Sequence, residues 1–198
     1  GGVSGAVEIG LVRHFPTAWN AEGRLQGRTD VPLSAEGRAA LARVRLPARW
    51  RGAPVVSSPL GRARETAAAL AEGAPVRVAE ALTEFDFGAW EGRIGAELIA
   101  EGAGYGPVEG WGEDFAAPGG ESVAALSARV AGALAAIPGP RAVVVTHRGV
   151  MRAALALATG WRWAGPEPFR IKRGAAHPLR LEGGRIVAAG PWERLEAR

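Results

Sequence analysis

The chain has 198 residues, 47% hydrophobic and 22% charged, enough for one ordinary domain with a buried core. The absence of cysteine excludes a disulfide frame, a thiolate zinc site and a cysteine nucleophile. The net charge of +4 and isoelectric point of about 10.8 do not imply a nucleic-acid partner, because Lys172 is the sole lysine and the arginines are scattered without runs or interleaved aromatics.

In chain order, residues 1–6 read as a flexible tail and Val7–Val12 as a first strand. A loop rich in turn formers runs from Phe15 to Leu33. Ser34 reads as the N-cap of a helix over Ala35–Arg49. Pro54–Ser57 is predicted as a strand and Leu60–Ala71 as an alanine-rich helix ended by Gly73, with a short strand at Pro75–Val78. Residues 82–120, with many Gly, Trp and acidic side chains, read as a cap-like insertion near the strand ends. A helix is expected from Ser122 to about Ile137, stopped by Pro138-Gly139-Pro140. Arg141–Thr146 is the most strongly β-branched strand, and Gly149–Thr159 is its following helix. Phe169–Ile171, Ala176–Leu181 and Arg185–Ala188 read as short strands, with Gly183-Gly184 as a hairpin turn.

This alternation predicts a single α/β domain, a three-layer α/β/α sandwich. Its central sheet would be mostly parallel, with an antiparallel edge from the terminal hairpin. No apolar stretch approaches the roughly 20 residues of a membrane span, and no secretory signal pattern opens the chain. With no cysteine, these features point to the cytoplasm, with neither membrane nor nucleic acid as partner.

Three predicted strands run into polar residues. Ile9-Gly10-Leu11-Val12 leads to Arg13-His14, Val55-Val56-Ser57 to Ser58-Pro59-Leu60-Gly61-Arg62, and Val143-Val144-Val145 to Thr146-His147. Ligand sites of open α/β sheets lie at the carboxyl ends of strands. Two histidines and two arginines there suit a small anion such as a phosphoryl group, because guanidinium binds phosphate oxygens through paired N–H donors. His14 is a candidate nucleophile and His147 a candidate donor to the equatorial oxygens. A general acid must come from elsewhere. Glu84, in an aromatic setting where burial raises a carboxyl pKa, is the first choice. Asp86 is the second, and Glu91 reads as a structural partner. Arg64 points about 200° away from Arg62 on a helix and reads as solvated. His177 reads as structural, while Trp111 and the Trp161/Trp163 pair could line a mouth.

Six motifs in order then resemble those of the histidine phosphatase superfamily, in the branch with phosphoglycerate mutase. They are Leu11-Val12-Arg13-His14-Phe15-Pro16-Thr17, the stretch from Trp19-Asn20 to Asp30-Val31-Pro32-Leu33-Ser34, Ser58–Ala63 with Thr66-Ala67, Glu84 with Phe87–Gly92, Pro118–Ser122, and Thr146–Arg152. The resemblance implies His14 as nucleophile and Glu84 as general acid. It makes Arg13, Arg62 and His147 a phosphate cage, with Thr17 and Asn20 as rim contacts. It implies neither metal nor cofactor.

The chain departs from the family pattern at three positions. Phe15 stands where glycine is usual, so it should narrow the pocket mouth or change the backbone; Pro16 removes an N–H from the same loop; Arg148 presents an extra cation to substrate. The resemblance implies a phosphomonoesterase for a small metabolite, such as α-ribazole phosphate or a sugar phosphate, acting as a monomer or homodimer. The family's mutases resemble one another in a longer insertion with paired arginines between the acid motif and the next helix; here that stretch, residues 93–120, is short and contains only Arg93, so the resemblance favours a phosphatase over the alternative, a phosphoglycerate mutase. A catalytically silent phospho-ligand-binding module is the alternative from another class.

Overall fold

In the computed structural model, residues 5–198 are described. Of the expected flexible tail, residues 1–4 lie outside the described residues, and Gly5 and Ala6 are exposed without regular structure.

The β-branched runs form the strands of the main sheet: β1 (Val7–Arg13), β3 (Val55–Ser57), β4 (Val76–Val78) and β5 (Arg141–Thr146). β6 (Ala175–Glu182), β7 (Arg185–Ala189) and β8 (Glu193–Arg194) follow at the C-terminal end. The order is β4-β3-β5-β1-β6-β7, with β8 also paired to β6. β4, β3, β5 and β1 are parallel, and β6 runs antiparallel to β1, β7 and β8. β2 (Val44–Arg45) and β9 (Glu196–Ala197) form a separate antiparallel pair. Gly183 and Gly184 both have positive φ, as the turn between β6 and β7 demands.

Helices cover both faces. α2 (Ala35–Ala42) and α3 (Gly61–Ala71) put Leu41, Ala63, Ala67 and Leu70 into one core layer with Val12, Val55 and Val145. α5 (Val123–Ala135) and α6 (Arg148–Thr159) put Leu126, Val130, Val150 and Met151 into the other with Ile9, Leu11 and Val144. The alternation of β1 side chains between the two layers is the period-two geometry of a strand buried on both faces. Gly10 on β1 is what lets the buried Trp50 ring close on the sheet, since a Cβ there would stand 3.0 Å from the ring. The fold is thus α/β, with a mostly parallel sheet between helical layers and an antiparallel edge.

Three expectations at the element level are corrected. The helix over Ala35–Arg49 stops at Ala42. Pro47 disfavours helix in the residue before it, and Val44–Arg45 pairs instead with β9. Phe169–Ile171 is not a strand. Pro166 and Pro168 remove donors just before it, and Phe169 packs edge-on against Trp161 at 5.6 Å. Two short helices also form where loop or irregular structure was expected, α1 (Ala18–Glu22) and α4 (Gly95–Ala100).

Candidate active site

Because β3, β5 and β1 are adjacent and parallel, their carboxyl ends meet at one rim. Arg13 lies opposite Thr146, and Ser57 lies opposite Val145. The backbone carries the alignment one residue further, with the His14 N–H donating to the Thr146 carbonyl and the Ser58 N–H to Val145, both at 3.0 Å. His14 and His147 therefore face each other, with ring centroids 5.2 Å apart.

Each side chain is held by its own partners. His14 Nδ1 donates to the Phe15 carbonyl at 2.7 Å, which leaves Nε2 with its lone pair. Burial first, then Arg62, pushes the His14 pKa well below its ordinary value, so the ring is neutral. His147 Nε2 meets the Ser58 hydroxyl at 2.6 Å. Its pKa is likewise lowered by burial and Arg62. Arg62, in the first turn of α3, is fully buried and donates to the carbonyls of Thr29 at 2.8 Å and Gly27 at 2.6 Å. Glu84 accepts from the Phe85 N–H at 2.6 Å and the Gly149 N–H at 3.1 Å. Burial outweighs these donors and raises its pKa. Gly149 is obligatory here, since a Cβ would stand 2.4 Å from Glu84 Oε1.

Above this floor opens a cavity of about 520 Å³, a size that suits a small metabolite. His14, Arg13, Asn20, Glu84 and Arg148 are on its wall, whereas Arg62 and His147 lie buried beneath. Thr17 is not on the wall. It is the N-cap of α1, and its hydroxyl is engaged by Asn20 and by Gln26 at 2.7 Å. Residues 82–120 supply Glu84, Phe85, Phe87, Tyr105, Val108 and Trp111 to the wall. Trp163 is on it too, but Trp161 is not.

Phe15 does not narrow the mouth. It is buried in the core layer of Val12 and Leu33, away from the cavity, with its N–H donating to Thr66 at 3.0 Å. Glu91 accepts from the Gly27 and Thr29 N–H groups and so supports the loop that holds Arg62. Arg64 is exposed, and Asp86 caps Gly88. His177 is tied between the Leu11 carbonyl and the Lys172 N–H.

Sequence reasoning missed Arg152 and Arg173, both on the cavity wall. Arg173 donates to the His14 carbonyl at 2.6 Å. It also missed the role of Ser58, although the motif around it was a usable signal. The cationic crowding is severe. Burial, together with Arg173 and Arg148, brings the Arg13 pKa down to about 9, and Arg173 is lowered to about 10 by burial and Arg148. Among the described residues, no group of three or more His, Asp or Glu side chains is arranged to hold a metal ion. The arginines on the wall suit an anion, and His14, also on the wall, carries a neutral imidazole.

Comparison with known proteins gives the family. The sequence profile of the Histidine phosphatase superfamily (branch 1) matches residues 9–190. A probable phosphoglycerate mutase from Salmonella paratyphi C is 38% identical over 155 residues, 71% of this chain and 69% of that protein. Among solved structures, a phosphoglycerate mutase from Thermus thermophilus is 35% identical with a TM-score of 0.66, covering 94% of this chain and 100% of its own. A protein from Escherichia coli K-12, assigned provisionally as an alpha-ribazole-5'-P phosphatase, is 25% identical with a TM-score of 0.76, covering 97% of each chain. The chain belongs to the histidine phosphatase superfamily, branch 1, and is an enzyme of that superfamily.

Proposed function

We propose that the protein is a phosphomonoesterase for a small phosphorylated metabolite, working through a phosphohistidine at His14 without a metal. One observation carries this reading. Buried polar atoms almost always find partners, yet Arg13 Nε, Arg62 Nε and His147 Nδ1 have none. A fourth such atom, Trp50 Nε1, belongs to a ring packed on Gly10 in the middle of β1, not at the strand-end rim. Three orphaned nitrogens at one strand-end rim call for an acceptor, and a phosphoryl group supplies several oxygens at once.

The chemistry follows from the partners of each group. His14 Nε2 attacks phosphorus as the bond to the ester oxygen breaks. Glu84, protonated because burial raises its pKa, gives its proton to the leaving alkoxide. Arg13, Arg62 and His147 hold the oxygens on which charge accumulates. A water then loses a proton to the Glu84 carboxylate and attacks phosphorus. The P–N bond breaks, phosphate leaves, and both groups return to their starting forms. Asn20 and Arg148 line the approach, and Thr17 acts by fixing Asn20 through the α1 cap.

α-Ribazole phosphate and sugar phosphates are the first substrates to try, the former because of the Escherichia coli neighbour. The named mutases favour a second reading, in which the phosphoryl group returns to the substrate instead of passing to water. The absence of an arginine pair in residues 93–120 supports the phosphatase. The reading carries a single domain, a monomer or homodimer and a cytoplasmic location with it.

The test is an EDTA-treated assay on a panel of esters, with wild type beside His14→Ala. Phosphate release by the wild type, lowered at least about 10³-fold in the variant, is expected. Isomerised ester without phosphate release would select the mutase. Binding of esters with no turnover would select the silent module.

A further inference from the structure

His147 can hold a phosphoryl oxygen only if the nitrogen left free for it carries a proton. A neutral imidazole has one ring proton, on Nδ1 or on Nε2. His147 is fully buried, and burial, then Arg62, keeps the ring neutral. Its Nδ1 is the nitrogen without a partner, while its Nε2 meets the Ser58 hydroxyl at 2.6 Å. Where Ser58 sends its own proton therefore decides whether Nδ1 is a donor.

Ser58 is fully buried too, one residue past the end of β3, with its N–H fixed on the Val145 carbonyl at 3.0 Å. Its hydroxyl oxygen accepts the Leu60 N–H at 3.3 Å. Among the described residues this hydroxyl has no hydrogen-bond partner besides Leu60 and His147. The Leu60 N–H can only donate, so the acceptor left for the hydroxyl proton is His147 Nε2. With the ring proton on Nε2 instead, the Ser58 oxygen would accept twice and its buried O–H would go unpaired. His147 would then offer phosphate oxygens a lone pair.

Resting on the phosphomonoesterase reading, we infer that Ser58 is a positioning residue that sets the tautomer of His147: its hydroxyl donates to Nε2, so that Nδ1 carries the proton and offers it to the phosphoryl oxygens. His14 holds the same tautomer by another device, since its Nδ1 donates to the Phe15 carbonyl. The two rings thus present opposite ends to the site, His14 a bare nitrogen for attack and His147 an N–H. In water a neutral histidine side chain favours the Nε2–H form, so the His147 ring without Ser58 reverts toward the wrong tautomer. A bound phosphoryl group can draw the proton back to Nδ1, at a cost in affinity.

Nitrogen-15 NMR of the histidine rings in the ligand-free protein tests this, because bare and protonated ring nitrogens have well-separated shifts. The chain has 3 histidines, and His147 is assigned by the signals lost in His147→Gln. In the wild type, His147 should show a protonated Nδ1 and a bare Nε2. In Ser58→Ala it should shift largely to the Nε2–H form, while His14 keeps its wild-type pattern. The same variant should lower kcat/KM for phosphate esters about tenfold or more and raise the Kd for inorganic phosphate by a similar factor. Ser58→Thr, which keeps the hydroxyl, should recover most of both losses. An Nε2–H ring at His147 in the wild type overturns the inference, whatever the variants do. A Ser58→Ala protein in which His147 keeps its tautomer overturns it as well and leaves the phosphatase standing. If the wild type turns over no ester, the phosphatase reading fails, and the ring spectra with the phosphate Kd still decide the role of Ser58.

Discussion

The carboxyl of Glu84 is contested between burial, which favours its neutral form, and two N–H donors with two nearby guanidiniums, which favour the anion. Burial wins, so the proton is available for donation at a higher pH than for an ordinary glutamate. Glu84→Gln should slow alkyl phosphates about a hundredfold or more, and an activated aryl phosphate far less, since only the former need a protonated leaving group. The sign with pH follows. Alkyl-ester turnover should fall as pH rises through the raised pKa of Glu84, and that limb should be missing from the Glu84→Gln profile. Equal slowing of both ester types would assign Glu84 to binding. Positions such as His14, Arg62 and His147 were legible because a strand pattern ends right beside them. Arg173 was not, because it reaches His14 only through the fold, from a loop 159 residues away in sequence. Phe15 was misread for the same reason. Which way its ring turns is settled by the space beside Leu33, not by its neighbours in sequence.

α5 lines the cavity with Leu126 and acts on the site through a second residue. Its Arg129 donates to the carbonyls of Ala81 at 2.8 Å, Thr83 at 2.7 Å and Glu84 at 3.0 Å. The rest of the guanidinium grips both oxygens of Glu121, at 2.6 and 3.0 Å, and Glu121 in turn accepts from the Asp86 N–H. The whole fork is thus used to pin the backbone on either side of Glu84. Arg129 is a positioning residue. Arg129→Ala should lower kcat toward alkyl esters about tenfold or more, with KM little changed and the alkaline limb displaced. Arg129→Lys should recover only part, because an ammonium cannot span the same fork. A uniform loss with an unmoved pH profile would indicate mere loss of folded protein. Elements with a strong local pattern, such as β5 and α6, were legible from sequence alone. β2 was not, because a two-residue strand exists only by virtue of its partner β9 near the opposite end of the chain.

At the scale of the molecule, all 3 histidines of the chain are buried, and each has a pKa lowered by burial. Below about pH 6.5 the unfolded chain takes up protons that the folded chain refuses, so stability is full above that pH and is lost as pH falls. Each histidine contributes a slope of about 1.4 kcal/mol per pH unit until its folded pKa is reached. Glu84, raised instead of lowered, opposes this, one group against three. Urea unfolding at pH 7.5 and 5.5 should show a clear drop in midpoint with little change in m-value; a flat midpoint would mean the rings are protonated in the fold. The layered sheet itself was readable from the alternation of strands and helices, but its order was not. β1 is flanked by β5 and β6, which come from residues 141–146 and 175–182. The strand that leads into His14 is thus made well before either of its neighbours. At ordinary ribosomal speeds it waits roughly 10–30 s for them. During that wait an apolar strand has an open edge on each side, and the proposed nucleophile has no pocket around it.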